Sequence, residues 1–216
     1  MRKDISKLVL SLAIILVGCE QEKKIEPVTL KSTKKVKSKS QKEVAVISTQ
    51  FGDLVLEFYD RAAPKHVESF KLHAKNGFYN GTIFHRVIPG FMIQGGDPNT
   101  KGDNKTSYGM GGHAAKYYGI GKEDNPKSWN IPAEFNDIKH TKGILSMARS
   151  NDRNSAGSQF FICDGDPSHL DAQYTVFGKV IEGIQIIGKI ANMPRDDRNN
   201  PINRVEMKVR IEMREI

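Results

Sequence analysis

Positions 205–214 alternate without a break. Val205, Met207, Val209, Ile211 and Met213 are apolar, and Glu206, Lys208, Arg210, Glu212 and Arg214 are charged. A period of two puts one set on each face of a strand, so this segment needs a sheet with one dry face and one wet one. The chain from position 44 onward is built of similar short units. Val44-Ala45-Val46-Ile47-Ser48-Thr49 and Leu54-Val55-Leu56-Glu57-Phe58-Tyr59 flank a turn at 50–53 and read as a β-hairpin. Apolar runs follow at 82–88, 90–94, 143–148, 158–163 and 174–181, each bounded by Gly, Pro or Asp. Two segments have helical spacing instead. Over 64–76, Pro64 suits the first helical position, Val67, Phe70 and Ala74 fall in step, and Gly77 can end the helix. Over 183–191, Ile184, Ile187 and Ile190 recur three apart. About eight strands and two helices predict a mainly β fold, a closed eight-stranded antiparallel barrel capped by the two helices.

The chain ahead of position 44 has a different character. A basic start (Arg2, Lys3, Lys7) precedes an apolar run at 8–17. That run is shorter than the ~20 residues of a spanning helix and fits a secretory signal. Leu16-Val17-Gly18-Cys19 resembles the bacterial lipobox, in which the cysteine thiol receives a diacylglyceryl group and the chain is cut just before it. The expectation is a lipoprotein signal peptide at 1–18, lipidation of Cys19, and attachment to a membrane of the bacterial cell envelope on its extracytoplasmic side. Residues 19–43 hold eight lysines and few large apolar groups, too few to offset ordering entropy, and read as a lipidated, lysine-rich flexible tether. The folded domain is expected over 44–216.

This division explains the charge. The formal net charge of +8 invites a nucleic-acid or anionic-membrane reading. Residues 1–19 carry +2, 20–43 carry +4, and 44–216, with 22 basic and 20 acidic residues, keep only +2. The domain is close to neutral, and an export signal fits poorly with nucleic acid as partner. A composition of 38% apolar and 27% charged residues excludes a polytopic membrane protein, and two cysteines exclude a disulfide scaffold or a four-cysteine zinc site. Gly109-Met110-Gly111-Gly112 lacks the lysine and the strand-to-helix setting of a phosphate loop and reads as a surface loop.

Three segments carry the chemistry: FHRVIPGFMIQGGD (84–97), GILSMARSNDRNSAGSQFFI (143–162) and HLDAQYTVFGKV (169–180). In the first, Arg86 stands in an apolar strand and Gln94 follows in a second, beyond a Pro-Gly turn. Two polar groups reaching one cavity among aromatic residues and methionine describe a small pocket with orienting donors. In this order and spacing the three segments resemble the cyclophilins, the cyclosporin-type peptidyl-prolyl cis–trans isomerases, over the whole of 44–216.

What the resemblance implies can be set beside the physics. Amide resonance raises a rotational barrier of ~18–20 kcal/mol, and X-Pro bonds exchange slowly between two populated isomers. A catalyst needs no nucleophile, metal or cofactor here; it must favour a twisted amide whose nitrogen has regained a lone pair. Arg86 matches the family's catalytic arginine, and Gln94 the residue that helps anchor the substrate backbone. Phe91, Met92, Phe161 and Leu170 match the wall of the proline socket, and Ala148 and Arg149 the strand along which the peptide lies. The implied partners are proline-containing polypeptides of exported, folding proteins, bound by a monomer. The alternative is a non-catalytic chaperone that holds proline segments in the same groove.

The chain departs from the family pattern in places. Arg149 replaces a frequent asparagine. His169 stands for a pocket-edge tryptophan that contacts cyclosporin, so weak drug binding is expected. Tyr174 replaces a pocket histidine. The loop at 98–130 is longer than in compact members, with Trp129 near its end. Elsewhere, His66 and His73, seven apart on the first helix, read as solvent-facing residues rather than metal ligands, His85 as a packed or hydrogen-bonded core residue, and Cys163 as an inert core thiol.

Overall fold

The computed structural model describes residues 41–215. The expected signal peptide, the lipidation site Cys19 and the tether up to residue 40 lie outside the described residues. Strand β1 (Gln41–Thr49) turns through Gln50 and Phe51 into β2 (Gly52–Phe58), as the hairpin pattern requires. Helix α1 (Pro64–Lys75) follows, then β3 (Arg86–Ile88) and β4 (Met92–Gly95). A long segment with short 3-10 turns at Pro98–Lys101, Lys105–Ser107 and Pro126–Ser128 leads to β5 (Ile144–Met147) and β6 (Phe160–Cys163). β7 (Val176–Glu182), α2 (Ile184–Ala191) and β8 (Lys208–Glu215) complete the order.

All eight strands form one antiparallel sheet in the order β3-β4-β6-β5-β7-β2-β1-β8. The mainly β, antiparallel expectation holds, but the ladder does not close as strands: β3 and β8 are its two ends and do not pair. The segments just ahead of them do touch. Ile83 and Glu206 form an isolated antiparallel bridge, with Gly81 N donating to Met207 O, Met207 N to Thr82 O and Phe84 N to Val205 O. The alternating run at 205–214 is therefore split, its first residues pairing with 81–84 and the rest with β1.

A correction falls at the start of the domain. β1 begins at Gln41, inside the stretch expected to be tether, because Gln41, Lys42 and Glu43 pair with Glu215, Arg214 and Met213 of β8. Glu43 is also tied to α1 through Lys71 at 3.2 Å and Lys75 at 2.8 Å.

Alternation decides where the site sits. On β6, Phe160 and Ile162 enter the main core while Phe161 and Cys163 face a second apolar cluster; on β4, Ile93 and Met92 divide the same way. The main core centres on Phe70 of α1, whose ring lies 4.9 Å from Tyr79, 5.3 Å from Phe160 and 5.6 Å from Phe177. The second cluster, Met92, Ile144, Phe161, Cys163, Leu170 and Val176, lies on the opposite side of the β4-β6-β5-β7 strands and underlies the site.

α1 carries another correction. His66 and His73 are buried, 1% and 4% exposed, not solvent-facing. His66 Nδ1 lies 2.7 Å from Glu134 Oε2, and His73 Nε2 lies 2.8 Å from the His113 carbonyl oxygen. The long 96–143 segment covers this helix face, and no periodicity within the helix could announce that cover. Its carboxylate also serves as the helix cap. Ala63 has no capping side chain, and Glu134 instead accepts from Lys65 N and His66 N at 3.1 Å. Burial works to raise the Glu134 pKa, but the His66 side chain and these two amides outweigh it and hold the carboxyl below its usual range.

Candidate active site

The β3–β4 hairpin delivers the first two polar groups. Phe91 N donates to Ile88 O at 3.1 Å across Pro89-Gly90, and Gly90 has φ 71, where a side chain would be strained. This turn sets the register in which Arg86 and Gln94 are direct cross-strand partners. Arg86 Nη1 donates to Gln94 Oε1 at 3.3 Å, and the guanidinium carbon lies 5.9 Å from the Phe91 ring centroid. Gln94 is oriented in turn: its Nε2 donates to Gln159 Oε1 at 3.0 Å, and Gln159 Nε2 donates to Gly109 O and Gly111 O at 3.0 and 2.7 Å. The relay leaves the Gln94 oxygen free to face Arg86.

Arg86, Phe91, Met92, Gln94, Ala148, Arg149, Phe161, Leu170 and Tyr174 line one cavity of about 100 Å³, which suits a single small ring. Every site residue expected from the sequence lies in that lining except His169 and, by its position, Cys19. His169 is exposed and stacks on Phe91 at 5.7 Å and 30°, at the socket's outer edge. Phe161 forms the floor, with Tyr174 against it edge-on at 5.8 Å and 82°. Arg149 is pinned at the rim. Its guanidinium lies 4.5 Å from the Tyr174 centroid, with Nε and Nη2 donating to Gln173 O at 3.1 and 2.9 Å.

Two supporting residues escaped the sequence reading. Gln159 sits within the SQFFI segment, but its role depends on the Gly109–Gly111 backbone far away in sequence. His140 stacks under Phe161 at 6.0 Å and 16°. Its Nδ1 lies 3.1 Å from Asp171 Oδ1 and its Nε2 3.0 Å from Ser146 Oγ, which fixes the floor from behind. Burial lowers the His140 pKa against the pull of Asp171. A larger, more polar cavity of about 320 Å³ adjoins the socket and shares Gln94, Ala148 and Arg149 with it, its far side formed by the 109–112 loop.

The remaining expectations can be placed. His85 is 3% exposed, and neither ring nitrogen makes a hydrogen bond; burial pushes its pKa down to about 4. Cys163 is buried, and burial raises its thiol pKa to about 12, out of the range of a reactive thiolate. The 98–130 loop packs back on α1, where Lys116 Nζ and Tyr118 Oη both donate to Glu68, and Trp129 Nε1 donates to Lys122 O within the loop. Among the described residues no three His, Cys, Asp or Glu side chains converge on a point that would hold a metal ion. No helix among them is long and apolar enough to cross a membrane.

A ring-sized socket walled by aromatic and aliphatic side chains, with a guanidinium among them, lies on one face of an eight-stranded antiparallel sheet with two helices, an arrangement suited to holding a small ring such as that of proline. Comparison with known proteins gives the family. Residues 44–211 match the model of the cyclophilin type peptidyl-prolyl cis-trans isomerase/CLD family. A peptidyl-prolyl cis-trans isomerase of Acinetobacter baylyi is 40% identical over 153 residues, covering 68% of this chain and 71% of that protein. The human peptidyl-prolyl cis-trans isomerase-like 3 is 38% identical over 164 residues, covering 75% and 91%. The match to peptidyl-prolyl cis-trans isomerase-like 2 of Gibberella zeae, 39% identical, spans only 25% of that longer protein. Among solved structures, a Cryptosporidium parvum cyclophilin type isomerase crystallised in the presence of the dipeptide Ala-Pro superposes with a TM-score of 0.66 at 34% identity, covering 80% of this chain and 99% of that one. The chain belongs to the cyclophilin family and is a peptidyl-prolyl cis–trans isomerase.

Proposed function

We propose that this isomerase works at the bacterial cell envelope, tethered by lipid on Cys19, and accelerates X-Pro isomerisation in exported proteins as they fold. The export-like start at 1–18, the lipobox-like Leu16-Val17-Gly18-Cys19 and the lysine-rich stretch behind it support this setting. At the site, Phe91, Met92, Phe161, Leu170 and Tyr174 take the prolyl ring, Ala148 and Arg149 line the path of the peptide, and His169 flanks its entry. Arg86 is the catalytic group: its guanidinium donates to the prolyl nitrogen as the amide twists, an interaction stronger in the twisted state than in either planar isomer. Gln94 holds that guanidinium and offers a second polar contact to the substrate backbone. The enzyme acts as a monomer. The bonds between 81–84 and 205–207 support reading its sheet as a barrel closed at that seam.

The observation that carries the assignment is Arg86, half-buried in the wall of the ring-sized socket and held by Gln94. Exchange measurements on a short X-Pro peptide with the full chain test it: wild type accelerates exchange and Arg86→Ala loses most of the acceleration. Peptide binding without acceleration by the wild type would establish the holding-chaperone reading instead. Cell fractionation tests the setting. Cys19→Ser releases the protein from the membrane or leaves it unprocessed, and unchanged membrane association would refute lipidation.

A further inference from the structure

β3 is a three-residue strand at the end of the sheet, yet it carries Arg86. Its inner edge is paired with β4, where His85 N donates to Gln94 O at 2.9 Å. An end strand this short would normally fray, because its outer N–H and C=O groups have no strand to bond. Here they are met by the turn that precedes β8. Asn200 Nδ2 donates to the His85 carbonyl oxygen at 2.6 Å, and Val87 N donates to the Asn199 carbonyl oxygen at 2.9 Å. The two residues flanking Arg86 are thus gripped from outside while β4 holds the strand from inside.

The turn is built to present those groups. Asp196 Oδ1 accepts from Arg198 N at 3.0 Å and Asn200 N at 2.8 Å, and Asp196 N donates to Asn200 O at 2.9 Å. Asn199 adopts φ 65, a left-handed conformation that asparagine tolerates better than most residues. Asn200 is 4% exposed.

We propose that Asn200, braced by Asp196, is a positioning residue for the isomerase reaction: its side chain holds the backbone just ahead of Arg86, keeps the Asn199 carbonyl on Val87 N just behind it, and so aims the guanidinium at the prolyl nitrogen. The inference rests on Arg86 being the catalytic group. Asn200 is not among the residues that line the socket, so its loss acts on orientation rather than on substrate binding.

The test uses the full chain with Asn200→Ala, the near-isosteric Asn200→Asp, which removes the N–H donor, and Asp196→Ala, which loosens the turn from its partly exposed side. Asn80→Ala is the control for stability alone; it deletes the acceptor of Val209 N, in a different part of the molecule. Assayed well below every melting midpoint, the Asn200 variants lower kcat about ten- to hundredfold with KM within about twofold. Asp196→Ala lowers kcat less, and Asn80→Ala leaves it unchanged. The Arg86 Nε–H resonance shifts and the Val87 amide exchanges faster in the Asn200 and Asp196 variants only. Unchanged kcat in both Asn200 variants, or a loss matched by Asn80→Ala, overturns the proposal while leaving Arg86 in place. Full activity in Arg86→Ala overturns both.

Discussion

Arg86 and Gln94 are direct cross-strand partners, and their side chains meet at 3.3 Å over the mouth of the socket. On the proposed mechanism the guanidinium acts on the twisting amide, while the carboxamide aims it and contacts the substrate backbone, so the two substitutions have unequal cost. Arg86→Ala lowers kcat/KM by about 10²–10³, the cost of losing one preorganised donor to the transition state. Gln94→Ala costs about tenfold, since the charge remains but is less well held. Exchange measurements on one peptide with both variants check the ordering; equal losses would place both side chains on the reacting bond.

Glu134 is the borrowed cap of α1. Glu134→Ala destabilises the domain by about 1–2 kcal/mol, and Glu134→Gln by less, because the amide oxygen still accepts from Lys65 N and His66 N. The wild-type carboxyl lies below its ordinary value of 4.5. Its contribution is therefore complete above that value and lost as pH falls through the lowered one. Urea denaturation between neutral pH and pH 3 shows a shallower acid loss for Glu134→Gln than for wild type.

His73 and His85 act in a higher pH window. Burial lowers both from 6.5 to about 4. The native state keeps them neutral while the unfolded chain takes up protons from about 6.5 downward, so stability is complete above that pH and falls as pH drops toward about 4. Each histidine contributes up to about 1.4 kcal/mol per pH unit across that window. Unfolding midpoints at pH 7, 5.5 and 4.5, taken as assay conditions at about one to one-and-a-half unit spacing, are expected to fall steadily in wild type and less steeply in His73→Gln.

His169 stacks on Phe91 with a small ring where the family pattern has tryptophan. Cyclosporin is therefore expected to bind weakly. His169→Trp restores apolar surface at the socket edge and tightens the drug about tenfold, or ~1.4 kcal/mol, measured by calorimetry. Affinity unchanged by the substitution would move the cause of weak binding elsewhere in the groove.

The residues that line the socket are those the resemblance to the cyclophilins implies, and short-range rules account for their meeting. The Pro89-Gly90 turn dictates which residues of β3 and β4 stand opposite, and the period of two sends Phe160 into the core and Phe161 into the socket. What escaped depends on contacts distant in sequence. His66 and His73 looked wet from within their helix, and only Glu134 and the His113 carbonyl, arriving from the long loop, make them dry. Gln159 looked like a strand residue until Gly109 and Gly111 came within reach. The barrel reading counted strands correctly, but the unbroken alternation of 205–214 concealed that its first residues pair with 81–84.

The pairing of Gln41 with Glu215 joins the first strand of the domain to the last. β1 lies between β2 and β8, so half of its ladder cannot form until residues 208–215 have been made. Such a topology has high contact order and favours slow folding after synthesis over folding strand by strand as the chain emerges. An enzyme that relieves slow steps in the folding of other chains thus has a late-closing step in its own.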